Sequence, residues 1–152
     1  MNTFKQKGSA TVEFAMLLPL LLLLVFTVSE FGVMFYRLNA LTKSVDIAAR
    51  YLSGAEEGYP NTTVHITEAK NLAVNGNTTG SGSAIVPGLT STEIVITNDT
   101  THEHVKVVAT YNANFILINT LKNLQELFSK GSGSGTTSFM TLNASSVMRF
   151  AT

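Results

Sequence analysis

The chain of 152 residues contains no cysteine. This excludes disulfides and cysteine-ligated zinc centres, and it is compatible with either redox compartment. No cluster of basic residues is present either. Ten Lys and Arg balance ten Asp and Glu, for a net charge of +0. That argues against nucleic acid, whose binding proteins gather Lys and Arg on one surface. No serine sits in a Gly-x-Ser-x-Gly elbow. The glycine-rich stretches Gly80-Ser81-Gly82 and Gly131 to Gly135 lack the Lys-Ser/Thr that completes a phosphate loop. His102 and His104 flank Glu103, but His65 is distant in sequence and no cysteine completes a metal site, so they read as solvent-facing polar residues. Asn-x-Ser/Thr triplets begin at Asn61, Asn77, Asn98 and Asn143. In a chain this rich in Thr and Asn they read as coincidence. These absences predict a protein that is not an enzyme and needs no cofactor.

What the chain does have is one long apolar run. Phe14 to Val28 is apolar except for Thr27, and after Ser29 and Glu30 the run resumes as Phe31 to Tyr36. A span of about 20 residues crosses a hydrocarbon core of ~30 Å. Pro19 lies inside it and predicts a kink, which a membrane helix tolerates. A carboxylate, Glu13, stands at its mouth. An ionised carboxylate at the bilayer centre costs roughly 2.5–3.5 kcal/mol on insertion scales, so a charge at such a place is a functional-site hypothesis. A cleaved secretory signal, with Lys5 and Lys7 as its basic region, fits poorly. Glu13 intrudes at the start of the apolar core, and no small-x-small cleavage site follows Val28. The short N-terminal tail and the larger polar C-terminal region favour a cytoplasmic tail, although Arg37, Lys43 and Arg50 follow the span.

Beyond the span, Phe31, Met34, Leu38, Leu41, Val45, Ala48 and Leu52 recur at three- and four-residue steps and make one apolar helix face. Gly54 predicts the stop. The combined helix, Ala10 to Ser53, would be roughly 65 Å long. The remainder, 54–152, predicts a small α+β domain. A turn is expected at Gly58-Tyr59-Pro60-Asn61, a short helix over Ile66 to Val74 ended by Asn75-Gly76, and a loop over Asn77 to Ser83. A β-rich run Glu93 to Thr97 and a strand alternating through Val105, Val107, Ala109 and Tyr111 predict an antiparallel hairpin turning at Asn98 to Thr101. Leu117, Leu121, Leu124 and Phe128 mark one face of a helix over Ile116 to Ser129, read as a core element. After the link Gly131 to Gly135, alternation from Met140 to Phe150 predicts a last strand. The expected architecture is α+β: a long N-terminal helix, transmembrane then amphipathic, packed on a small antiparallel sheet.

The N-terminal residues resemble a type IV prepilin. A short basic leader, Gly8, four residues, Glu13, the aromatic Phe14 and a long apolar helix stand in that order. The run Gly-Ser-Ala-Thr-Val-Glu-Phe-Ala-Met-Leu-Leu-Pro is most similar to the TadE/TadG-like pseudopilins of the tight-adherence (Tad/Flp) pilus. The Leu142 to Arg149 stretch resembles the small-residue C-terminal strand of the same proteins. The resemblance implies cleavage after Gly8 by a prepilin peptidase and a mature N-terminus at Ser9. Glu13 and Phe14 take the family's assembly positions. It also implies a structural minor pilin or pseudopilin serving adhesion, biofilm formation or secretion. The implied partners are the peptidase, other pilin or pseudopilin subunits, the inner-membrane assembly platform and the lipid bilayer. The implied location is the bacterial inner membrane with a periplasmic C-terminal domain, then the pilus. The expected division is a leader at 1–8, a helix at 9–53 with its membrane part near 14–36, and an α+β domain at 54–152.

The charges carry their own logic. Cleavage after Gly8 frees an α-amine, a group with a reference pKa near 7.7–8.0, cationic at neutral pH. Such a cation and the Glu13 carboxylate at one membrane depth neutralise each other. Contributed by neighbouring subunits, the pair sets axial register. The other class of function open to such a chain is a single-pass anchored periplasmic binding protein that enters no pilus.

Overall fold

The computed structural model of the chain describes residues 6–54, 63–99, 104–129 and 139–149. The turn expected at Gly58 to Asn61, Thr100 and Thr101, His102, Glu103, the Gly131 to Gly135 link and Phe150 lie outside these residues, as do the side chains of Leu124 and Phe128. The described elements are α1 (Gln6–Ser53), α2 (Thr63–Asn75), a 3-10 turn (Ser91–Glu93), β1 (Ile94–Asp99), β2 (His104–Asn114), α3 (Ile116–Ser129) and β3 (Phe139–Arg149). The architecture is α+β, as the periodicities predict.

The chain divides into two units. One holds α1 up to Val33 together with the segment from Phe115 that carries α3; the other holds α1 from Met34, then α2, β1, β2 and β3. In the second unit the sheet is antiparallel in the order β1-β2-β3, with β2 central. Ile94 pairs with Ala109 and Ile96 with Val107 on one side of β2. Val107 pairs with Ser146, Ala109 with Ala144 and Tyr111 with Leu142 on the other. Because side chains alternate across a strand, Val105, Val107, Ala109, Tyr111 and Ala113 are buried while Lys106, Thr110 and Asn112 are exposed. Leu142, Ala144 and Ser146 of β3 are buried on the same face. Against that face packs the second half of α1, whose Met34, Leu41, Val45, Ala48, Ala49 and Leu52 are buried. The predicted stripe is therefore the core stripe from Met34 to Leu52, with Leu38 only half-buried and Phe31, at its start, 47% exposed.

Helix α2 ends where predicted. Gly76 takes φ 75° and donates its N–H to the Leu72 carbonyl at 3.0 Å, a left-handed cap that glycine adopts without a Cβ penalty. The polar loop that follows is organised by asparagines. The Asn77 Oδ1 accepts from the Thr79 hydroxyl (2.9 Å) and the Ser81 N–H (3.1 Å), and its Nδ2 donates to the Ser81 carbonyl at 2.7 Å. The Asn71 Nδ2 donates to the Thr78 carbonyl and the Asn75 Nδ2 to that of Gly82. Tyr111 of β2 secures the next stretch by donating its hydroxyl to the Pro87 carbonyl at 2.7 Å. Asn77 is thus a structural residue, where the sequence suggested only a chance triplet.

Helix α3 runs over the predicted residues, yet it departs from its predicted role. None of its described side chains is buried, and Ile116 (72%) and Leu121 (48%) are exposed. A helix periodicity identifies an apolar face but not the surface that covers it.

Candidate functional site

The N-terminal signature lies on the exposed first turns of α1. Gly8 is exposed, and a Cβ placed on it would meet open space. Its backbone is helical, in the first turn of α1. The Ser9 hydroxyl donates to the Glu13 Oε1 at 3.3 Å, one helical turn away. Glu13 and Phe14 are exposed. The structure thus brings Ser9 and Glu13 together and leaves the carboxylate open to a partner. Helix α1 continues unbroken through Pro19, which lacks the N–H that would otherwise reach the carbonyl of Ala15.

The large apolar side chains from Val12 to Val28 are all exposed, from 39% at Leu18 to 77% at Met16. In water so large an apolar surface marks an interaction site. The helix is long and apolar enough to cross a membrane and could anchor the chain there, with a mean hydropathy of 2.3 in its most apolar window and none of that window buried. Its few hydroxyls are satisfied internally, as lipid requires. Thr27 donates to the Leu23 carbonyl at 2.7 Å and Ser29 to that of Val25 at 2.9 Å.

A second carboxylate in the run, Glu30, has a role the periodicity does not reveal. Its Oε1 accepts the backbone N–H groups of Ile116 and Leu117, the latter at 3.0 Å. These are the first two donors of α3, which have no partner within their own helix. The residue before them is Phe115, whose side chain cannot cap. Glu30 supplies the missing acceptor from another helix, and its negative charge suits the positive end of the α3 dipole. Only a signal with long sequence separation could have revealed this; Glu30 alone reads as an interruption.

In the second unit, the Tyr51 hydroxyl donates to the Glu68 Oε2 at 2.6 Å, tying α1 to α2, and His65 Nδ1 lies 3.0 Å from the same oxygen. The Tyr51 hydrogen bond, with help from His65, holds the Glu68 carboxyl below its usual range. An open groove of about 630 Å³ runs beside α1, lined by Tyr36, Asn39, Ala40, Lys43, Ser44, Ile47 and Ile85. It contains no nucleophile paired with a base. Among the described residues no three of His, Cys, Asp and Glu gather as a metal site. His104 begins β2, half-buried, opposite Asp99 in β1 and Arg149 in β3.

No curated protein and no solved structure matches the chain. The family model described as TadE-like protein matches residues 8–50. That stretch holds Gly8, Ser9, Glu13, Phe14, the apolar run and most of the buried stripe of α1, so the similarity to TadE-like proteins covers the long N-terminal helix of this chain.

Proposed function

We infer that the chain is a non-enzymatic minor pilin or pseudopilin of a Tad/Flp pilus. It is made as a precursor in the bacterial inner membrane, with its N-terminal tail cytoplasmic and its α+β unit periplasmic. A prepilin peptidase cuts after Gly8. The amine freed at Ser9 and the Glu13 carboxylate of a neighbouring subunit neutralise each other and set the register of addition. The mature subunit then assembles through α1 with other pilin or pseudopilin subunits at the assembly platform, and the pilus serves adhesion, biofilm formation or secretion. The observation that carries this reading is the TadE-like match over residues 8–50, which begins at Gly8 itself. The exposed apolar surface of α1 and the open Glu13 carboxylate support it.

Mass spectrometry of membrane fractions tests it. A mature chain beginning at Ser9 is expected in cells with an active peptidase, and unprocessed chain alone in peptidase-deficient cells. An intact Met1 N-terminus in the presence of active peptidase would sink the reading.

A further inference from the structure

The β2–β3 pairing runs to Asn114 opposite Phe139, where an ordinary hairpin would close with about 2–5 residues. Instead α3 (Ile116–Ser129) stands between the two strands in sequence and groups with the N-terminal part of α1. Two features of α3 say what it is for. Its start is fixed to α1 by Glu30, through the Ile116 and Leu117 amides. Its apolar side chains Ile116, Ile118 and Leu121 are exposed, like those of the α1 run in the same unit. By helical spacing the apolar face is centred on Leu117 and Leu121, with Ile118 at its edge, and Lys122 and Asn123 lie off that face.

Depth identifies the occupant. With hydrocarbon beginning at Phe14, Glu30 lies about 24 Å along the helix at 1.5 Å per residue. A hydrocarbon core of ~30 Å then leaves Glu30 a few ångströms inside the far headgroup boundary. Amphipathic helices lying in the interface bury their apolar face ~5–10 Å deep at that boundary. We propose that α3 is an interfacial helix, pinned by Glu30 at the outer-leaflet surface and lying with its apolar face in the bilayer beside the α1 span. This rests on the reading of α1 as membrane-spanning. The Glu30 carboxylate is then at a depth where a bare charge is costly, and the two α3 amides serve as its local solvation. The consequence is a second lipid contact for the subunit, so that leaving the bilayer for a filament requires withdrawing α3 as well as α1.

The absence of cysteine permits single-site labelling of the full chain. Leu22→Cys, Ile118→Cys, Leu121→Cys and Asn123→Cys variants, each carrying an environment-sensitive fluorophore, are reconstituted in phosphatidylethanolamine–phosphatidylglycerol vesicles. The label at 22 should be quenched by nitroxide placed deep in the acyl chains. Labels at 118 and 121 should show blue-shifted emission and be quenched by nitroxide near the headgroups, while the label at 123 should be open to an aqueous quencher. A lipid-buried label at 22 with water-exposed labels at both 118 and 121 overturns the proposal and leaves the anchor intact. Labels at 118 and 121 shielded from water yet unquenched by lipid nitroxide overturn it in favour of a protein surface, such as a second copy. A water-exposed label at 22 overturns the anchor and the proposal together.

Discussion

Glu13, Glu30 and Glu68 share one chemistry and differ only in what accompanies them. Glu13 has a neighbouring hydroxyl and open space, Glu30 has two amides of another helix, and Glu68 has Tyr51 and His65. The Glu68 pair predicts a pH dependence. Its carboxyl is held below the ordinary value of 4.5, first by the Tyr51 hydrogen bond and then by that of His65. A folded-state value below the unfolded one adds stability that is complete above the unfolded value and disappears as pH falls through the folded one. Acid titration of unfolding should therefore show wild-type stability falling below about pH 4.5. The decline should be shallower in Glu68→Gln, which has no charge to lose, and in Tyr51→Phe, which removes the main cause. Parallel acid curves for all three proteins would show that the contact does not operate in solution. Of these carboxylates, only Glu13 was legible as a site from the sequence, because its meaning depends on Gly8 and Phe14 nearby. Glu30 and Glu68 take theirs from residues in other helices.

The helices show how far periodicity reaches. The stripe from Met34 to Leu52 on α1 could be read because a three-to-four spacing has a face and that face is buried. The strands could be read because alternation has period two. The extent of α3 could be read as well, but its environment could not, since an apolar face reads the same whether protein or lipid covers it. The Glu30 cap on α3 gives an element-level prediction. Glu30→Ala should cost α3 about 0.5–2 kcal/mol, the usual loss on removing an N-terminal cap. At about 1 kcal/mol, amide exchange in α3 should be roughly fivefold faster. Glu30→Gln, which retains a carbonyl acceptor, should recover most of the protection. Unchanged exchange in the alanine variant would refute the capping role.

At the scale of the whole molecule the chain carries two surfaces with different demands. The second unit has a closed sheet-and-helix core, while most described large apolar side chains of the first are exposed. An apolar surface of that size marks an interaction site, and the helix that carries it is long and apolar enough to cross a membrane. The assembly reading makes one prediction here: Glu13→Ala should leave processing after Gly8 largely intact and block incorporation into pili. Immunoblotting of membrane and sheared-pilus fractions separates the two steps, and normal piliation in this variant would refute the register argument.

By itself, the sequence determined the membrane-length helix, the order of the α-helices and β-strands, and the Gly8–Glu13–Phe14 signature, but not the 3-10 turn Ser91–Glu93 or the run of β1 through Asn98 and Asp99. The features it determined rest on composition, period and short spacing, all of which are local. Tertiary structure alone decided that Glu30 caps α3, that Tyr51 clasps Glu68, that Asn77 knots its own loop, and that none of the described side chains of α3 is buried. The capping and clasping contacts join residues far apart in sequence or in separate elements, and no local pattern encodes which distant backbone amide or hydroxyl a carboxylate will meet. The Asn77 knot is local, but its triplet reads equally well as coincidence until the turn that closes around it is formed. For α3 the spacing specifies a face, and only the folded chain shows that its described side chains are not buried.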